Sequence, residues 1–132
     1  MGTIQRVFRD ELYGHVHILF PTSESYQRVG SFIATALREH MKQSGLEVVV
    51  ETEDQSVLGA DARKHTAPIK TGILATSGDN VRQHVATVYS TTQYDSSFMV
   101  DPEHDADTRF AGLDLLAVLK PYEGREISLL FR

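Results

Sequence analysis

Residues 15–53 read HVHILFPTSESYQRVGSFIATALREHMKQSGLEVVVETE, and this stretch decides the fold class. Val29, Phe32, Ile33, Ala36, Leu37 and Met41 fall at the spacing of one apolar stripe on a 3.6-residue helix. Gln27, Ser31, Thr35, Arg38, Glu39, Lys42 and Gln43 lie off that stripe. The spacing predicts a helix over about residues 24–44. Pro21 precedes it, and either Thr22 or Ser23 would supply an N-cap oxygen to an unpaired helical N–H. Glu24 adds a negative charge where the helix dipole favours one. Ser44-Gly45 marks the end, because glycine takes the left-handed conformation that closes a helix.

Strands are expected on both sides. Val16, Ile18 and Phe20 share one face of the first, and His15, His17 and Leu19 share the other. Residues 46–52, LEVVVET, carry three consecutive valines and fit a strand buried on both faces. A helix of this length is ample for a crossover between parallel strands. The expectation is therefore an α/β domain in which these two strands pair in parallel. An α+β arrangement, with the helix lying across an antiparallel sheet, is the alternative.

Working outward, residues 3–9 read as an edge strand joined to His15 through the Tyr13-Gly14 turn. Residues 54–68 read as a surface loop, 69–76 as a strand and 77–80 as a turn. In 81–92, Val81, Val85 and Val88 would suit a helix. The β-branched content favours a strand, which makes 69–92 a hairpin. Residues 94–107 are expected to be loop, with a short strand around 98–100 at most. Residues 108–120 form the second predicted helix, capped by Asp107 and stopped by Pro121, and 125–131 the last strand. The whole is one expected domain over residues 1–132, a mixed sheet of four to six strands covered by helices near 24–44 and 108–120.

A chain of 132 residues can bury a core without metal or disulfide support, and it has no cysteine. No apolar run approaches the ~20 residues that span a bilayer, and the first residues carry no hydrophobic signal core. A soluble, cytoplasmic protein without membrane contact is expected. The net charge is −5 and uneven, since residues 95–107 hold five carboxylates and no Lys or Arg. A basic stripe is missing, which argues against general nucleic-acid binding.

Three constellations could carry chemistry. The first is the segment before the helix, where Thr22, Ser23 and Ser25 could hold a phosphate and Glu51 and Glu53 receive ribose hydroxyls. A strand, a hydroxyl-rich turn and a long helix resemble flavodoxin in outline, although this turn has no glycine. The second is the histidine set. His15 and His17 stand about 7 Å apart on one strand face, and His84 lies on another predicted strand, so the three could supply a general acid and base. This pattern resembles the two-histidine phosphoesterases, in which each of two strands carries histidine, a spacer and Ser or Thr. Here the third positions are His17 and Ala86, so neither of the expected hydroxyls is present. A zinc site on the histidines lacks supporting ligand spacing, and no metal is expected. The third is Phe98, Met99, Asp101, Glu103, Asp105 and Asp107, an apolar patch beside alternating acids. It departs from a calcium loop at Ala106 and Gly112 and suits docking of a basic protein surface.

The leading expectation is a non-enzymatic binding module, a regulator, inhibitor or assembly subunit, with no cofactor. A small histidine-dependent hydrolase or phosphoesterase acting on a nucleotide-like substrate is the alternative, and a nucleotide- or small-ligand-binding domain the third. A homodimer would follow from one exposed edge strand.

Overall fold

The alternation that starts at Val16 produces a strand with one buried face, and the sheet is built on it. The computed structural model describes residues 2–45, 48–54, 69–76, 82–102 and 114–127. In chain order these give β1 (Arg6–Arg9), β2 (Val16–Ser25), α1 (Tyr26–Gln43), β3 (Val49–Asp54), β4 (Ile69–Thr76), β5 (Arg82–Ser90), β6 (Tyr94–Pro102) and the short helix α2 (Leu115–Leu119). A 3-10 turn, Lys120–Tyr122, follows α2. The six strands form one antiparallel sheet in the order β1-β2-β6-β5-β4-β3. With one long and one short helix, this is a compact α+β domain.

The expected parallel pairing does not occur. β2 and β3 do run in the same direction, as the alternation of antiparallel neighbours requires, but β6, β5 and β4 lie between them. The valine-rich segment explains the difference. Val50 is buried, whereas Val49 is 59% exposed and Glu51, Thr52 and Glu53 are exposed. A strand with one apolar face suits an antiparallel sheet whose other side is solvated, whereas the strands of a parallel sheet are covered on both faces.

α1 buries the expected stripe: Val29, Phe32, Ile33, Ala36, Leu37 and Met41 are all in the core. It closes as the glycine predicts, with φ of +80° at Gly45 and the Gly45 N–H donating to the Lys42 carbonyl at 3.0 Å. Its start differs. Residues 21–25 belong to β2, so neither Thr22 nor Ser23 is an N-cap. The register shifts between Leu19 and Glu24, after which Glu24 and Ser25 pair with Asp95 and Tyr94. Ser25 holds the N-cap position without a side-chain cap bond, and the Tyr26 N–H donates to the Gln93 carbonyl at 3.1 Å instead. Sheet pairing with β6 thus takes backbone groups that a turn would have left to side-chain capping.

Gly30 lets α1 press against the sheet. A Cβ there would lie 3.0 Å from Thr71 Cγ2. The expected strand over 69–76 and the strand, not the helix, over 82–90 are both present and form an antiparallel pair. Residues 94–102, expected mainly as loop, are a full strand, because Phe98 and Val100 are buried while β6 pairs with both β2 and β5. α2 is capped by Asp114, whose carboxylate accepts from the Ala117 N–H at 3.2 Å. The expected loop over 55–68, the turn at 77–80, the Asp107 cap, residues 108–113 and the strand from 128 onward lie outside the described residues. Of that last strand, Glu126 bridges to Thr3 and Ile127 is buried. No described helix is long and apolar enough to cross a membrane.

The edge at β1 is closed by side chains. The Val7 N–H donates to Glu123 Oε2 at 2.7 Å, Lys120 Nζ donates to the Val7 carbonyl at 3.0 Å, and the two side chains pair at 2.9 Å. The Val7 N–H, and after it Lys120, hold the Glu123 carboxyl below its ordinary range. The Ile4 N–H donates to the Arg125 carbonyl at 2.9 Å and extends the closure.

Candidate functional site on the outer sheet face

Both described helices lie on one side of the sheet, where Leu115, Val118 and Leu119 of α2 join the core formed by α1. The pleat sends alternate residues to the other side. Register sets Phe8 opposite His17, His17 opposite Met99, and Met99 opposite Tyr89, so these four form one row across β1, β2, β6 and β5. All four are half-buried. The rings of Phe8 and His17 stack at 5.1 Å, and the Arg6 guanidinium lies 4.4 Å from the Phe8 centroid.

Asp10, in the β1–β2 connection, organises the end of this row. Its Oδ1 accepts from the Tyr13 and Gly14 N–H groups at 2.6 and 3.1 Å, and the left-handed φ of +74° at Gly14 permits the tight return. Oδ2 lies 2.7 Å from His17 Nε2 and 4.0 Å from His15 Nδ1. His15 Nε2 stands 3.8 Å from Asp101 Oδ2, and the ring of Tyr13 stacks on His15 at 5.7 Å. Asp101 is in register with Thr87, whose hydroxyl lies 2.8 Å from His84 Nε2. The three predicted histidines are therefore connected along one face, through Asp10, Asp101 and Thr87.

The roles of Asp10 and Thr87 were not read from the sequence. Asp10 had a signal, an aspartate four residues before a glycine, which is the pattern of a side chain that closes its own turn. Thr87 had none. It meets His84 because the strand pairing shifts register at Ile73/Leu74. Among the described residues no group of three or more His, Asp or Glu side chains could hold a metal ion.

Hydrogen bonds set the Asp10 charge. The Tyr13 N–H first, and then the His17 ring, pull its pKa from 3.8 to about 2. Asp10 thus remains a carboxylate that orients His17. Because the folded value is depressed, the unfolded chain binds the proton more readily, and the stabilisation is complete above 3.8 and lost as pH falls through about 2. Urea midpoints measured from pH 6 to pH 2 should fall on acidification. Asp10→Asn should remove the part of that fall between 3.8 and about 2, and an unchanged slope would contradict the arrangement.

The other two constellations are not assembled as expected. Phe98 is fully buried in a T-shaped pair with Phe20, ring centroids 5.8 Å apart, so it is not a surface contact. Its neighbour Met99 faces outward because adjacent strand residues take opposite faces. Asp101 is on the outer face with His15, and Glu103, Asp105 and Asp107 lie outside the described residues. Thr22 and Ser23 are exposed on β2 and Ser25 is half-buried, while Glu51 and Glu53 are on β3, four strands away. At ~4.8 Å per strand that is roughly 19 Å, too far for one phosphate-and-ribose site. Glu51 instead accepts from Arg82 at 3.3 Å. A groove of about 290 Å³ between α1 and α2, with Glu39, His40, Tyr122 and Arg125 on its walls, contains none of the candidate site residues of the three constellations.

Comparison with models of known protein families, with curated proteins and with solved structures finds no match.

Proposed function

We propose that the protein is a non-enzymatic binding module and that a protein partner covers the outer face of its sheet. One observation carries this reading. The described helices all cover one face, and the opposite face presents the half-buried row Phe8, His17, Met99 and Tyr89. Beside that row the β1–β2 turn exposes Leu12 at 79% and Tyr13 at 73%. Aromatic and methionine side chains are enriched in the buried centres of protein interfaces, and large exposed apolar side chains that adjoin one another favour contact over solvation. Asp10 and Asp101 place two carboxylates along the same row and suit a partner that carries basic groups.

Site-specific photocrosslinking tests the reading. A photoreactive residue at Met99 should trap one protein partner in cells, and the same residue at Glu39 on α1 should not. Equal capture from both positions, or none from Met99, would remove the support. The Asp10–His17 contact of 2.7 Å favours a second reading, a histidine-dependent hydrolase of phosphoesters. Turnover that disappears in His17→Ala would put that reading first.

A further inference from the structure

We propose that β3 is a docking edge for an extended basic segment of a protein partner, which adds to the sheet as a further strand. The inference concerns the edge of the sheet and stands apart from the reading of its outer face. The two ends of the sheet differ. At β1, Glu123 and Lys120 occupy the N–H and carbonyl of Val7. At β3, no group among the described residues bonds to the outer edge, and the strand pairs only with β4. In an antiparallel pair, alternate residues of an edge strand turn their N–H and C=O away from the neighbour. Such an edge is a template for another strand.

Charge selects the occupant. Val49, Glu51 and Glu53 share the outer face of β3, while Val50 and Thr52 face α1. All of these except Val50 are exposed. A second copy added by a two-fold axis must match outer face to outer face. The two such registers that overlap most of β3, centred on Glu51 or on Thr52, set Glu51 opposite Glu51 or Glu53 of the other copy, and like charges directly opposite are destabilising. The net charge of −5 adds to that repulsion. An incoming strand with Lys or Arg at alternate positions would instead place its cations against Glu51 and Glu53, and its intervening apolar residues beside Val50 and Thr52. Arg82 already reaches Glu51 from β5, so a cation on this face can engage that carboxylate.

Fluorescence anisotropy with an end-blocked hexapeptide of alternating lysine and valine tests the proposal at low salt. A second peptide of the same sequence, N-methylated at every backbone amide, keeps the charge and has no backbone donor with which to pair. Binding should be at least tenfold weaker for the methylated peptide. It should be at least tenfold weaker again for the Glu51→Lys, Glu53→Lys double variant, whose fold is checked by circular dichroism. Hydrogen exchange of the β3 amides should slow when the unmodified peptide binds. Equal binding of the methylated peptide would mean charge attraction alone and would overturn strand addition, as would no binding or unaltered β3 exchange. Sedimentation that shows a dimer with β3 already protected would assign the edge to a second copy and also overturn it.

Discussion

Phe98→Ala is expected to lower the unfolding free energy by about 3–5 kcal/mol, the range for truncating a buried phenylalanine. Phe98 is 0% exposed on β6, a strand flanked on both sides by partners. It stands opposite Ile18 and its ring meets that of Phe20 edge to face, with centroids 5.8 Å apart, so truncation leaves a cavity in the core. Domains of this size are commonly stable by only about 5–15 kcal/mol, so the variant should be near the margin of folding. A urea titration should show a large fall in midpoint with an unchanged slope. The neighbouring Met99→Ala, on the outer face, should lose much less stability. A Phe98→Ala variant within about 1 kcal/mol of wild type would show that this residue is not core, since core truncations cost more.

The second large effect is expected from Gly30→Val, at about 1–3 kcal/mol of destabilisation by overpacking. Valine outranks glycine as a helix former, so propensity alone would favour the change. Packing decides against it, because the first added carbon would already lie 3.0 Å from Thr71 Cγ2, 3.5 Å from Thr71 Cβ and 3.8 Å from Thr52 Cγ2. Thr71→Ala in the same chain should restore part of the loss. It removes the methyl that clashes, and with it a buried hydroxyl, Oγ1, that has no hydrogen-bond partner among the described residues. A double-mutant cycle should show coupling of about 0.5–3 kcal/mol, as for residues in contact. Additive effects would show that α1 does not seat on β4 through this glycine.

What could be read from the sequence was what depends on local periodicity. The stripe from Val29 to Met41, the Gly45 stop, the β1–β2 hairpin through Gly14 and the β4–β5 hairpin all follow from spacing and turn chemistry within a few residues. Pairing partners could not be read that way. The valine run of β3 looks the same in a central strand and at an edge, and only Glu51 and Glu53, exposed on either side of Thr52, favour the edge. Pro21, Thr22 and Ser23 resemble a helix cap by local chemistry alone, and only the pairing of Glu24 and Ser25 with Asp95 and Tyr94 across the sheet makes the segment a strand. In the candidate site, His15 and His17 announced themselves by alternation. Asp10, Asp101 and Thr87 came to them only through the turn and through register across three strands.

The same-direction strands β2 and β3, held apart by a returning meander, have a kinetic consequence. β4–β5 and β5–β6 join neighbours in the chain, and their hairpins can form early and locally. β2 meets that meander only at β6, where Val16 pairs with Val100, a partner far away along the chain. Loop-closure entropy opposes such a pairing before its contacts repay it, which makes non-local ladders slow to form. The ladder that completes the sheet is also the one that brings His15 to Asp101. The residues of the outer face would therefore come together in the last step of folding, and a chain arrested before that step would hold a formed helix and hairpins with the histidines still apart.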